Sequence, residues 1–145
     1  MTCAKVNSGY FNAYARAAGR DDLDFVLHMG DYNFEADDTT LLGQAQGAGI
    51  GRAFDPVSAC VTYEDYTSRY AEYRNDPDVQ TPHRSHAMWA TLDGHELADN
   101  AYREGAEAHD DVRDRDWRLR RHGALRAWHA WMPTTRNQVV YRGLS

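Results

Sequence analysis

The sequence predicts an α/β fold that contains a parallel β-sheet. Two short apolar runs, residues 24–29 and 87–92, have the length of buried strands, and polar residues follow each run at once. A segment with helical spacing precedes the first run, so the first thirty residues hold a strand, a helix and a strand. Such a βαβ unit joins parallel strands, because parallel neighbours need a crossover connection.

The elements of this first unit follow in order. Residues 2–6 are typical of the end of a strand, and residues 9–18 carry apolar side chains at helical spacing. Gly19 stands where a glycine commonly ends a helix. Residues 24–29 are then predicted to be a buried parallel strand.

Two helices are predicted in the middle of the chain. Residues 33–61 are polar and rich in glycine, and a loop of that length is unusual unless it is functional. Residues 62–74 predict a helix with Thr62 as its N-cap. Asp76 and Pro77 have the residue types that begin the next helix. The first helix carries tyrosines at spacings of three and four, which we interpret as core packing: Tyr63, Tyr66, Tyr70 and Tyr73.

The last third of the chain predicts a helix and a further strand. Residues 101–116 are charged, and we expect a solvated loop or helix there. Residues 117–132 predict an amphipathic helix that ends before Pro133. Residues 139–142 are expected to begin another strand.

Composition excludes several classes of protein. The 145 residues carry a formal net charge of −6, which argues against a general nucleic-acid binder. No run of 18 apolar residues is present, so we expect no membrane span. The start of the chain has no signal-peptide pattern. Two cysteines, Cys3 and Cys60, permit a single disulfide.

Polar residues of ligand type follow three predicted strands. They are Cys3, Asp31 and the group that begins at Asp93. In open α/β sheets, ligands bind at the carboxyl ends of the strands. Thiolate, carboxylate and imidazole together suit a transition metal or a mixed metal pair. The pattern therefore predicts metal-dependent chemistry at this edge of the sheet.

Phosphoryl transfer to water is a reaction that such a pair of metals can support. A two-metal site binds a phosphoryl oxygen, generates hydroxide and neutralises the charge that develops. Asp31, directly after a strand and a glycine, is the candidate for a carboxylate that bridges two metals. His95 is the candidate that donates a proton to the leaving oxygen or holds a phosphate oxygen.

Each of these residues also has a purely structural interpretation. A Gly-Asp pair after a strand is often a turn, and a lone cysteine such as Cys3 is typically a small buried residue. We interpret Cys60 as structural. The remaining histidines are predicted on helix or loop surfaces: His83, His86, His109, His122 and His129.

Several short motifs occur in a fixed order along the chain. They are Cys3, residues 9–14 (GYFNAY), 27–32 (LHMGDY), 65–73 and 76–80, then Asp93 to Glu96 (DGHE) with Asp99 and Asn100, and finally residues 127–133 and 140–142. As a set they resemble the alkaline phosphatase D (PhoD-like) family of the calcineurin-like metallophosphoesterases. The segment from Asp93 to Asn100 resembles the family's Trp-Asp-Asp-His-Glu and Asn-Asn segment. The resemblance covers the N-terminal half of the family's catalytic domain.

The resemblance implies a fold, an activity and cofactors. The fold would be a partial metallophosphoesterase domain over residues 1–145, truncated at both ends, from a two-sheet sandwich flanked by helices. The activity would be hydrolysis of phosphate monoesters and diesters with iron and calcium. The implied metal ligands are Cys3, Asp31, Asp93, Asp99 and Asn100, with His95 as the catalytic residue. The family is usually exported, whereas this chain shows no export signal.

Three positions depart from the family pattern. Phe34 stands where the family has a metal-binding Tyr, Gly94 replaces the second Asp of Asp-Asp-His-Glu, and Leu92 replaces the Trp before it. The family also takes further ligands from a second half. Because metal affinity depends on the full ligand set and its supports, we expect an incomplete metal pair in this chain.

Two other functions remain as alternatives. One is a non-catalytic globular or interaction domain derived from the same family. The other is an unrelated redox or transferase domain, but residues 47–51 (GAGIG) have the wrong spacing for a dinucleotide site and no preceding strand. Half of a two-sheet sandwich also leaves one sheet face uncovered. We therefore expect exposed apolar surface and association with itself or with a missing C-terminal half.

Overall fold

The structure is a computed structural model that describes residues 1–37 and 50–134. A 3-10 turn at Val6–Ser8 precedes the regular elements. In chain order these are α1 (Asn12–Ala18), β1 (Phe25–His28), α2 (Tyr63–Asn75), α3 (Pro77–Ser85), β2 (Ala87–Ala90), β3 (Ala101–Tyr102), β4 (Gly105–Ala106) and α4 (Trp117–Trp131). The predicted strand at residues 139–142 and most of the glycines of the long loop lie outside the described residues.

A parallel sheet is present, as predicted. Strand β1 pairs with β2 in parallel, with Phe25 opposite Ala87 and His28 opposite Ala90. Strand β2 ends at Ala90 rather than at residue 92, although the Thr91 N–H still donates to the His28 carbonyl at 3.0 Å. The α/β class with parallel strands is therefore confirmed.

The first residues of the chain run alongside β1 without forming an assigned strand. The Met1 amine donates to the Leu27 carbonyl at 2.7 Å, and the Met29 N–H donates to the Met1 carbonyl at 2.7 Å. Further on, the Ala4 N–H donates to the Asp31 carbonyl at 2.9 Å. These bonds have the pattern of a parallel pair of strands. The predicted βαβ unit is therefore present, with α1 as the crossover between the first residues and β1.

The prediction of a buried strand at residues 24–29 holds for one of its two faces only. Along β1 the side chains alternate, with Val26 and His28 buried and Phe25 and Leu27 exposed by 47% and 41%. Trp89 of β2 is 59% exposed and its ring lies 4.9 Å from that of Phe25. One sheet face is thus apolar and open, and the expected exposed apolar surface is present. Self-association through this face stays a prediction.

The helix boundaries predicted from capping residues are confirmed. Thr62 caps α2 in a reciprocal capping box with Asp65. Asp76 caps α3, and Pro77 is its first residue. The Asp116 side chain caps α4. The tyrosine stripe is core as expected, because Tyr66, Tyr70 and Tyr73 are completely buried. Cys60 lies in the same core as a free thiol, and Cys3 is also free.

Residues 101–116 are more ordered than a solvated segment. They contain the antiparallel hairpin of β3 and β4, with Ala101 opposite Ala106. Asp114 is buried and lies 3.1 Å from the Arg120 guanidinium, which removes the cost of burying either charge alone. The surface prediction for His109 is wrong, since its side chain is 5% exposed and its ring packs 5.0 Å from that of Trp117. Among the described helices, none is long and apolar enough to cross a membrane.

Candidate active-site edge

The segments that follow β1 and β2 meet beside Cys3, and we call residues 30–35 and 91–100 together with Cys3 the site edge. Gly30 makes this meeting feasible. Its φ is +100°, and a Cβ there would lie 2.5 Å from the Cβ of Asp93 and 2.8 Å from the Asp93 backbone nitrogen. Only glycine combines this backbone conformation with so close an approach.

Cys3 and Asp31 form a thiol–carboxylate pair. The Cys3 Sγ lies 3.4 Å from Asp31 Oδ2, in position to donate its proton. Both residues have a left-handed backbone, with φ of 53° and 52°. Such conformations are uncommon outside glycine and are concentrated at functional sites. The local backbone therefore holds next to each other two side chains that the sequence predicted as metal ligands.

His95 is joined to the same carboxylate through its backbone. The His95 N–H donates to Asp31 Oδ1 at 3.1 Å, and its ring Nδ1 lies 2.8 Å from Glu35 Oε2. Its ring Nε2 lies 3.6 Å from Asp99 Oδ1. The Phe34 ring packs against the imidazole at a centroid distance of 3.9 Å. Three of the predicted site residues, Asp31, His95 and Asp99, are thereby connected.

The surroundings of His95 favour its charged form. Burial lowers the pKa of His95, but the hydrogen bond and charge of Glu35 and the charges of Asp31 and Asp99 oppose it, and the resulting pKa lies above the ordinary value. A protonated imidazole with one ring nitrogen free of strong partners suits a proton donor.

Two buried glutamates organise the site edge. No role was predicted for either, although Glu96 belongs to the matching DGHE segment. Glu35 accepts the Asp99 N–H at 2.6 Å. Glu96 accepts the Tyr32 N–H at 2.6 Å and the Asp93 N–H at 2.8 Å, so these carboxylates bind the two segments together. Burial raises the pKa of Glu96 to about 7 despite these backbone bonds. The sequence signal for Glu35 is its position four residues after Asp31, and the signal for Glu96 is its position directly after His95.

The remaining predicted ligands make contacts of their own. Asp93 is exposed, and its Oδ1 accepts the Gly94 N–H at 2.9 Å. Asn100 has a left-handed φ of 54°, and its amide donates to Glu107 Oε2 at 2.7 Å. Within residues 1–37 and 50–134, no cluster of three or more His, Cys, Asp or Glu side chains is arranged to hold a metal ion.

The chemistry of the donors fits part of a metal site. A thiol and a carboxylate in contact supply one soft and one hard ligand, a combination that suits a transition metal. Phe34 supplies no donor atom and is instead packed on His95. The described residues therefore place two donors together and leave the remaining coordination positions to other groups.

Known proteins match this chain along most of its length. The family model described as PhoD-like phosphatase matches residues 1–145. Alkaline phosphatase D of Bacillus subtilis (strain 168) is 30% identical over 132 residues, which is 91% of this chain and 21% of that protein. A solved structure of PhoD is similar with a TM-score of 0.76 and 28% identity, over 93% of this chain and 24% of that one. The chain thus spans between a fifth and a quarter of the relatives it matches.

Proposed function

The chain belongs to the PhoD-like phosphatase family, and on that premise we propose that its site edge takes part in metal-dependent hydrolysis of phosphate monoesters and diesters. One observation carries the proposal. The Asp31 carboxylate faces the Cys3 thiol with one oxygen and accepts the His95 N–H with the other. The Asp31 side chain thereby links the two proposed metal ligands, Cys3 and Asp31 itself, to the proposed proton donor, His95.

Cys3 and Asp31 are the residues that we assign to metal binding. The bound metal, by family iron together with calcium, would supply polarisation of the phosphoryl oxygens. We assign Asp93, Asp99 and Asn100 to the same site as further ligands. Because no third donor joins the pair within the described residues, the proposal requires additional ligands from polypeptide outside them.

His95 is assigned the transfer of a proton to the leaving oxygen. Its Nδ1 is engaged by Glu35, so Nε2 is the ring atom that meets the substrate. The neighbouring carboxylates raise the pKa of His95 against the effect of burial, which favours the protonated ring that this role requires. A proton donor placed in this way typically contributes about 10²–10⁴-fold to the rate.

A non-catalytic domain is the second candidate. Phe34 and Gly94 stand where the family pattern has a metal-binding Tyr and an Asp. The described residues also hold no complete metal cluster. On this alternative, the site edge keeps the family fold but serves contacts with other polypeptide.

Hydrolysis of a chromogenic phosphate diester and monoester, with iron and calcium supplied, separates the two candidates. The proposal predicts activity that falls at least about tenfold in Asp31→Ala. The matched control is Asp22→Ala, because Asp22 is an exposed acid paired with Arg20. Equal activity in Asp31→Ala would contradict the assigned site, and no activity in any form would favour the non-catalytic domain.

His95→Gln tests the proton transfer separately. A nitrophenolate leaves without protonation far more readily than an alkoxide does. We therefore expect a loss of about 100-fold on an alkyl phosphate and a much smaller loss on a nitrophenyl phosphate. Equal losses on both substrates would assign His95 to holding a phosphate oxygen instead.

A further inference from the structure

We propose that Phe34 and Glu35 position His95, with Glu35 setting which ring nitrogen carries the proton and Phe34 setting the plane of the ring. The inference rests on the proposed function only for the identity of His95 as proton donor. Both residues act through His95, so each is a positioning residue.

Glu35 determines the tautomer. Its side chain is 2% exposed, and its Oε2 lies 2.8 Å from His95 Nδ1. A carboxylate only accepts hydrogen bonds, so Nδ1 must carry a hydrogen whether the ring is neutral or charged. The neutral ring is therefore left with its lone pair on Nε2. That nitrogen lies 3.6 Å from the half-exposed carboxylate of Asp99.

Phe34 determines the ring plane. Its ring and the imidazole lie nearly parallel, at 3.9 Å between centroids and 30° between planes. An aromatic face at this distance restricts rotation of the imidazole. The position at which the resemblance expects a metal ligand is therefore occupied here by a packing surface for the catalytic histidine.

The segment that carries both residues is itself held in place. The buried Arg69 guanidinium donates to the carbonyls of Phe34 and, at 3.1 Å, Ala36. Between them, the Glu35 carbonyl accepts the Cys60 N–H at 2.8 Å. A positioning residue is effective only on a fixed backbone, and these bonds fix it on both sides.

A merely structural role for Glu35 makes a different prediction. Glu35 also accepts the Asp99 N–H at 2.6 Å, so its loss could loosen the segment without concerning the histidine tautomer. The distinguishing quantity is the position of the His95 proton, which is measurable on the metal-free chain independently of hydrolysis.

Nitrogen-15 NMR of the chain with labelled histidine is the experiment, with His95→Gln used to assign the signal. In the wild type we expect a slowly exchanging Nδ1–H and, at high pH, the Nδ1–H tautomer. Glu35→Ala should abolish the slow signal and shift the ring toward the Nε2–H tautomer. Glu35→Gln should move the signal upfield or remove it, because a neutral acceptor bonds more weakly than a carboxylate.

Variants at Glu104 and Phe34 accompany the measurement. Glu104→Ala removes a 73%-exposed acid and should leave the His95 signal unchanged. Phe34→Leu should remove the ring-current shift of the His95 ring protons, whereas Phe34→Tyr should keep it. A His95 signal that is the same in wild type, Glu35→Ala and Glu35→Gln would overturn the proposal, even if the chain hydrolyses phosphate esters. If Glu35→Ala does not fold, Glu35→Gln decides alone.

Discussion

The site edge and the helical layer formed by α2, α3 and α4 are built in opposite ways. The interior of the site edge contains the buried carboxylates of Glu35 and Glu96, held by backbone N–H groups. The interior of the helical layer is aromatic, with Tyr66, Tyr70 and Trp128 almost completely buried. Apolar burial stabilises the helices, whereas the site edge retains buried charge that is costly unless fully bonded. The difference indicates that the helical layer supplies most of the aromatic core, while the two buried carboxylates of the site edge rely on backbone hydrogen bonds.

Arg69 connects the two regions. It belongs to α2, yet its guanidinium donates to backbone carbonyls of the loops before it, including Asp55 at 3.2 Å and Pro56 at 2.5 Å. It also stacks on the Phe54 ring at 4.0 Å. One buried side chain thus joins the aromatic layer to the polar segment that carries Glu35.

Replacing Arg69 should have the largest effect. Arg69→Met removes the donors of several buried carbonyls at once, and we expect a loss of about 3–5 kcal/mol in the free energy of unfolding. Urea unfolding followed by circular dichroism measures it. Arg118→Met, at an exposed position of α4, should change stability by less than about 0.5 kcal/mol. Similar values for both variants would show that the two regions are not joined through Arg69.

Gly30→Ala should have the next largest effect and act on the site edge. The new Cβ meets Asp93 at 2.5 Å in a backbone conformation unfavourable to alanine, so we expect a loss of about 2–3 kcal/mol. Gly9→Ala is the matched control, because a Cβ at Gly9 meets nothing within 4 Å. The same unfolding experiment compares them. A tolerated Gly30→Ala would mean that the two segments are less close than the structure has them.

The smallest predicted effect is a dependence of the free energy of unfolding on pH, and it arises at His28. Burial, reinforced by the N-terminal ammonium and by His83, lowers the pKa of His28 to about 4. Its ring is surrounded by Tyr14, whose hydroxyl lies 2.6 Å from Nε2, and by the ring of Tyr32.

Since the unfolded chain takes up a proton near pH 6.5, stability is full above that pH and falls as the pH drops toward 4. For each such histidine, we expect the free energy of unfolding of the wild type to fall by on the order of 1–2 kcal/mol between pH 7 and pH 5. Unfolding of His28→Gln at both pH values should show a smaller loss, while the exposed His122→Gln should match wild type. An unchanged loss in His28→Gln would rule out His28 as the source.

The sequence predicted best where the signal is local. Capping residues such as Thr62 and Asp76 act within one turn, so the helix starts were correct. The apolar run at residues 24–29 did not show which face of β1 is exposed, because coverage of a strand depends on distant polypeptide. Asp31 and His95 were found from their places after strands, and the structure joins them. Glu35 was missed because its role depends on a contact with His95 across 60 residues, which no local pattern records.

Metal retention tests the central claim most directly, namely that Cys3 and Asp31 hold a metal at the site edge. Wild type, Cys3→Ser and Asp31→Ala are loaded with iron and calcium, dialysed, and analysed for bound metal, with Asp22→Ala as control. The account predicts retained iron in wild type and Asp22→Ala and about 10–100-fold weaker binding in the other two. Equal retention in all four forms, or none in wild type, would contradict it.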